Sequence, residues 1–323
     1  MHQPSRGDVH SDAVLTNVSV AYMQKAENFI ATRVFPVIPV SKQSDIYYTY
    51  PKSAWFRDEV ETRADGTESA GSGYSVSTDS YACEVRAFHK DIGPQAMANQ
   101  DNPINLETEA AEFVSMKMLL NYELQWVSDY FGTSIWGTDV VGGTDFTAWD
   151  DYTGSDPIDD VEEGKETVLG NTGFEPNTLV LGYQVFRKLK RHPDIIDLLK
   201  YTTSENITAE ILARVLEVDR IFVAKSIYTT DEEGTAEGSV SYSFMHGKHA
   251  LLCYVPPTAG LMTPSAGYTF QWTGVSGGLG VGVGLTREEI PLTRGAIRVE
   301  AESAWDGKVV ATDLGYFFSG AVS

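Results

Sequence analysis

Basic residues and cysteine are scarce in this chain of 323 residues, and no long apolar run occurs. Only 24 lysines and arginines stand against 45 aspartates and glutamates, for a formal charge of −21. A surface that grips nucleic acid or anionic membrane does so by neutralising phosphates with cations, and this balance argues against that mode. Two cysteines, Cys83 and Cys253, make no disulfide framework. Each lies in a strand-like pattern and reads as a buried free thiol. No apolar stretch reaches the roughly 20 residues of a membrane helix, and the first residues lack the basic start and apolar core of a secretory signal. The chain is therefore expected to be soluble, and cytoplasmic when made. Repeats and low-complexity tracts are absent as well.

Signatures of chemistry are also missing. Gly274-Val275-Ser276-Gly277-Gly278 matches the G-x-S-x-G spacing of a nucleophile elbow, but the alternating Gly and apolar residues that follow cannot form the helix that motif requires. The same glycines fail the dinucleotide spacing, because Val283 stands where the third glycine should be. There is no phosphate-binding loop. His246 and His249 lack further ligands, and Trp149 stands where an EF-hand would need its first aspartate. No pair of carboxylates is singled out by spacing. No catalytic residue, metal or cofactor is expected.

What the chain does have is one long helical stretch, Ile104 to Phe131. Phe113, Met116, Leu120, Leu124, Val127 and Phe131 recur at steps of three and four, the period of one buried helical face. Pro103 lies near the start, Asn102 or Asn105 can cap it, Glu107, Glu109 and Glu112 suit the helix dipole, and Gly132 ends it. Ahead of it, a short helical pattern runs through Val14, Val18 and Tyr22 and can extend to Phe29. The apolar run Val34 to Val40 then carries Pro36 and Pro39, so it must lie extended, on the chain's own body or on a neighbour.

Residues 45–92 read as a long hairpin, with Ile46 to Tyr50 and Ala54 to Phe56 going out and Tyr74 to Phe88 returning, and a phase slip near Asp79-Ser80. Its tip, Arg57 to Gly73, is charged and glycine-rich. A two-stranded ribbon is marginal alone, so either the rest of the fold or another copy must cover it.

After the long helix, an acid-rich loop with Trp136 and Trp149 leads to Asp156-Pro157, which opens a helix to about Leu169. A strand at Asn177 to Gly182, helices through Val185 to Leu189, from Pro193 and from Thr208, and strands at Ile221 to Ala224 and Ala250 to Val255 make a compact α+β module. Beyond Pro264 the pattern is β-rich, with strands at Tyr268 to Trp272, Leu279 to Leu285, Ala296 to Val299 and Val309 to Phe318. The long helix is a natural floor for these last strands. Arg187, Lys188, Lys190 and Arg191 form the one basic cluster, read either as solvated charge matched to a helix dipole or as an edge that meets acids on an identical neighbour, such as 159–166 or Asp231, Glu232 and Glu233.

Taken in order, a proline-bearing arm, a long two-stranded loop with a charged tip, a long helix, an α+β module and terminal strands resemble the major capsid proteins of tailed double-stranded DNA bacteriophages, the Hong Kong 97-type capsid fold. Local wording is similar too: Pro176 to Gly182, Leu189 to Ile195, Ala250 to Pro257 and Asp313 to Phe318. The resemblance implies an N-terminal arm over 1–42, an extended loop over 43–92, a peripheral domain over 93–170 with its spine helix at 104–131, an axial domain over 171–262, and return strands of the peripheral domain over 263–323. It implies a structural shell protein, not an enzyme, assembling as hexamers and pentamers into an icosahedral capsid around double-stranded DNA held without sequence specificity. Interface residues would be Arg57, Asp58, Glu59, Glu61 and Arg63 at the loop tip, and Arg187, Lys188, Lys190, Arg191, Asp231, Glu232 and Glu233 in the axial domain. Because the arm begins almost at Met1, a separate scaffolding protein, or none, is expected beside a portal protein and a decoration protein. Assembly in the host cytoplasm and residence in the virion follow from the same likeness. Two rivals are a bacterial nanocompartment shell around cargo enzymes, and an acidic β-rich hydrolase or sugar-binding protein.

Overall fold

The computed structural model describes residues 23–99, 105–199, 207–260, 262–275, 285–290 and 295–323. The start expected for the long helix at 104, the helical pattern at 14–22, Ser276 and most of the glycine-rich strand at 279–285 lie outside the described residues.

In chain order the elements are α1 (Ala31–Val34), β1 (Val37–Val40), β2 (Ser44–Thr49), α2 (Lys52–Trp55), β3 (Ser77–Ala82), β4 (Glu84–Ile92), α3 (Pro94–Ala98), α4 (Leu106–Tyr130) and β5 (Thr138–Val141). There follow α5 (Pro157–Thr172), β6 (Thr178–Gly182), α6 (Tyr183–Leu189), α7 (Pro193–Leu199), α8 (Ala209–Val215), β7 (Arg220–Ala224), β8 (Ile227–Tyr228), β9 (Ser243–Phe244) and β10 (Ala250–Cys253). The last four are β11 (Gly267–Trp272), β12 (Leu285–Ile290), β13 (Ala296–Val309) and β14 (Gly315–Ser319).

The spine α4 is 25 residues long, a rod of roughly 37 Å. Asn105 caps it by accepting from the amides of Glu107 and Thr108 at 3.1 and 3.2 Å, and Glu107 and Glu109 sit in the first turn. Its fully buried stripe differs from the expected one. Ala110, Val114, Tyr122, Trp126 and Tyr130, four residues apart or eight, face the larger sheet, whereas Phe113 is 42% exposed. Met116, Leu120, Leu124 and Val127 are only partly buried, against Phe29, Leu119 and Met245. The core stripe is built of small and aromatic side chains with polar ends, which a count of aliphatic residues underweights. The hydroxyl of Tyr122 pairs with Thr269 Oγ1 at 3.3 Å, and that of Tyr130 donates to the Tyr268 carbonyl at 2.9 Å. Both phenols thus enter the core with their polar ends satisfied.

The sheet beneath the spine is organised on β13. Its 14 residues pair with β4 along one side, and with β12 and β11 along the other. Gly267 and Gly307 are needed here, because a Cβ on either would come within 2.9 Å of Tyr130. β1 closes the edge in parallel with β11, Val37 opposite Thr269 and Pro39 opposite Gln271. An edge strand tolerates the missing proline donor. The arm from Phe29 to Val40 therefore packs on the chain's own body.

The second sheet runs β5-β14-β10-β6-β7. Every residue of β6 and β10 is buried, as expected of strands covered on both faces. Here the structure corrects the placement of the final strand. β14 pairs with β10, Phe318 opposite Ala250 and Gly315 opposite Cys253, and so joins the α+β module rather than the sheet beneath the spine. Its apolar run Tyr316-Phe317-Phe318 finds a buried slot there. α5 begins as expected, Asp156 accepting from Ile158 and Asp159 amides with Pro157 in the first turn, but runs to Thr172, where Gly173 in the left-handed region (φ 74°) stops it. Thr208 caps α8 as expected. Both cysteines are free and buried.

Candidate assembly surfaces

The ribbon is shorter than its sequence suggests. β2 and β3 pair from Ser44–Ala82 to Thr49–Ser77, and the phase change falls at Cys83, where β4 leaves to join the large sheet. The stretch from Ala54 to Phe56, expected as strand, belongs to the single turn α2 and its C-cap, introduced by Pro51. A proline immediately before a helical turn suits the turn better than a ladder. Residues 56–76 have no helix or strand and are exposed throughout.

This exposure includes apolar side chains. Tyr48 is 66% exposed and Val60 89%, and Ile46, Trp55, Phe56, Tyr74 and Val76 are exposed as well. Scattered exposed apolar residues are ordinary, but with Tyr50 eight of them fall on this one ribbon and its tip. The inner face of the ribbon is satisfied: Tyr47 and Tyr81 lie 5.4 and 4.6 Å from the ring of Phe270. At the base, Lys52 meets Asp313 at 2.5 Å and Tyr74 lies 5.5 Å from Trp55.

The charges proposed at the tip hold local geometry. Arg57 pairs with Glu59 at 3.4 Å, Asp58 accepts from the Val60 amide at 3.2 Å, and Arg63 donates to the Thr67 carbonyl. Glu61 is exposed beside them. In the basic cluster, Lys188 is turned inward to Asp150 at 3.3 Å and Lys190 lies over the Phe186 ring, while Arg187 and Arg191 face solvent. Asp231 is likewise used within the chain, accepting from the Ser241 amide and hydroxyl and from Thr229 Oγ1. Its carboxyl is held below the ordinary range, chiefly by the Ser241 amide. Glu232 and Glu233 are exposed. The structure thus brings together neither set as one internal site.

An open cleft of about 540 Å³ lies between the 143–148 loop and Asp150, Asp151 and Ser323. Asp150 is occupied: it accepts from the Ser323 amide at 3.0 Å and hydroxyl at 2.7 Å as well as from Lys188. Burial pushes its pKa up, but these donors outweigh burial and hold it below the usual value. Among the described residues no group of three metal-ligating side chains converges, and no helix is long and apolar enough to cross a membrane.

One polar centre was missed by pattern reading. Glu123, on the buried side of the spine, accepts from the amides of Ile30 and Ala31 and lies 3.7 Å from His246 Nε2. A carboxylate amid Tyr, Leu and Trp in a helical stripe was the available signal. His249, by contrast, accepts from the Gly320 amide through Nδ1 at 3.0 Å.

No family model matches the chain. It is 26% identical over 325 aligned positions to the major capsid protein of Pseudomonas phage JBD67, covering 97% of both chains. To the major capsid protein of Burkholderia phage BcepMu it is 27% identical, covering 81% of this chain and 84% of that one. Among solved structures it resembles a phage-related protein from Bordetella bronchiseptica, with TM-score 0.68, 24% identity and coverage of 92% and 94%. The capsid of cyanophage P-SCSP1u follows with TM-score 0.63, 10% identity and coverage of 94% and 90%. The SrpI encapsulin of Synechococcus elongatus also shares the fold, at TM-score 0.51, 13% identity and coverage of 95% and 93%. Fold alone therefore does not separate a phage capsid from a nanocompartment, whereas the curated sequence relatives are phage proteins. The chain has the Hong Kong 97-type α+β capsid fold and is a relative of the tailed-phage major capsid proteins.

Proposed function

We propose that this protein is the self-assembling shell subunit of a phage icosahedral capsid, resident in the virion, and that it is structural rather than catalytic. The observation that carries this is the near end-to-end likeness to a phage major capsid protein. It gives meaning to the exposed apolar ribbon, which a lone subunit would leave in water and a second copy would cover. Isologous or ring-forming contacts repeated over many copies close a shell from individually weak pieces.

Finer features extend this reading. Subunits group as hexamers and pentamers, with the 57–73 tip lying on a neighbour. Arg187 and Arg191 on one subunit face Glu232 and Glu233 on the next, the solvent-directed members of the two charged sets. A net charge of −21 suits a wall that confines double-stranded DNA without gripping it. A separate scaffolding protein, a portal protein and a decoration protein are the further partners, with assembly in the host cytoplasm. The arm 1–42, loop 43–92, spine-bearing 93–170 and axial 171–262 segments act as the working units.

Electron microscopy of particles purified from cells making this chain with its genomic neighbours tests the proposal, with the particle contents analysed. Closed shells that package DNA are the expected result. Shells filled with a single enzyme would favour a nanocompartment, the second reading that the encapsulin likeness supports.

A further inference from the structure

The centre at Glu123 joins four pieces of chain: the spine, the arm, the segment after β7 and the loop before β10. Both Glu123 and His246 are buried, at 0% and 1% exposure. Glu123 Oε2 accepts from the Ile30 amide at 3.0 Å and the Ala31 amide at 2.8 Å, and Oε1 from the Ile30 amide at 3.1 Å and Ser226 Oγ at 3.4 Å. His246 Nε2 lies 3.7 Å from Oε1, and neither ring nitrogen has a hydrogen-bond partner. The imidazole is packed against Trp126 and Phe131, with ring centroids 5.5 and 5.0 Å away.

A buried carboxylate is tolerated when a cation neutralises it, when hydrogen-bond donors stabilise its charge, or when burial outweighs those donors and it keeps a proton. Among the described residues of the arm, the cation that acts on this one is Arg33, whose guanidinium bonds the carbonyls of Glu27 and Phe29 instead. From the other elements the facing groups are Ser226 and His246, with His249 beyond Phe131. A proton on Glu123 removes the charge, leaves one oxygen to accept the arm amides, and places an O–H near the unpartnered Nε2. We propose that Glu123 and His246 form a one-proton latch, which holds the Phe29 to Val34 segment against the spine while the proton stays and loosens that segment when it leaves.

The electrostatics agree in direction. Burial pushes the Glu123 carboxyl up to about 7, against the opposing pull of the arm amides, and pushes His246 down to about 3. In a detached arm the carboxyl returns toward its ordinary 4.5. The docked state therefore holds a proton that the detached state lacks between those two values. Docking is strongest at the acid end of this window and weakens as pH rises through it, by at most about tenfold per unit. His246 remains neutral across the same window, so it adds an acceptor rather than a competing charge.

Hydrogen exchange at the Ile30 and Ala31 amides of the full chain, corrected for intrinsic rates, reads the latch directly. Between about pH 5 and about pH 8 the protection factor is expected to fall roughly tenfold or more in the wild type, and to stay level in Glu123→Gln, which mimics the neutral acid. Equal pH dependence in both proteins would overturn the proposal. Should the variant fail to fold, infrared spectra of wild-type protein with carbon-13-labelled glutamate separate Glu123 from the raised aspartates Asp129 and Asp160. A protonated glutamate band at about pH 6 that vanishes by about pH 8 is expected. Its absence at about pH 6 would contradict the latch.

Discussion

The central strands β6 and β10 and the ribbon β2–β3 are all paired β-structure, yet they end in opposite surroundings. Leu179, Val180, Leu251 and Leu252 are fully buried between flanking helices and neighbouring strands. Ile46 and Tyr48 stand in solvent on the outer face of a two-stranded ladder. What differs is whether the chain itself supplies a second layer. The α+β module is a finished core, whereas the outer face of the ribbon is left open, as the proposed contact with another copy requires.

Substitutions sharpen this contrast. Leu251→Ala, in the module, is expected to cost about 2–5 kcal/mol of stability in chemical denaturation, because the packed sheet cannot collapse around the lost side chain. Gly267→Ala puts a Cβ 2.9 Å from the Tyr130 ring and 3.3 Å from both Phe35 and the Lys308 carbonyl. About 1–3 kcal/mol of overpacking is expected there, read as a lower denaturation midpoint. Asp150→Asn removes the Lys188 ion pair and one acceptor of Ser323, for a loss of about 1 kcal/mol. The folded pKa of Asp150 is depressed, so its stabilisation is present above the ordinary value of 3.8 and lost as pH falls through the folded value. Wild type should accordingly converge with Asp150→Asn in acid, measured as melting temperature against pH. The smallest effect on folding belongs to Tyr48→Ser combined with Val60→Ser, within about 0.5 kcal/mol. A loss of several kcal/mol would mean that the ribbon is covered by its own chain.

Local chemistry was readable from the sequence and distant pairing was not. Asn105, Asp156-Pro157 and Thr208 start helices through side-chain bonds to amides two or three residues on, so a short window suffices to see them. The extended course of Val37 to Val40 follows from two prolines, but its place at the edge of the sheet beneath the spine does not, because its partner β11 lies more than two hundred residues away. The buried face of α4 escapes a count of aliphatic residues because it is made of Tyr122 and Tyr130, whose hydroxyls find their partners on β11, and of Trp126. The pattern of β14 fits either sheet, so pattern alone does not place it beside β10. Of the charged residues singled out for interfaces, Lys188 turns toward Asp150, a partner that tertiary proximity supplies, and Asp231 bonds Ser241 and Thr229 within its own surface loop.

Sedimentation velocity of the wild type beside Tyr48→Ser/Val60→Ser, each made with its genomic neighbours, tests most directly whether the ribbon is an assembly surface. The wild type should sediment as shells or capsomers and the double variant as folded, smaller species. A wild type that stays monomeric, or a double variant that assembles equally well, would contradict it.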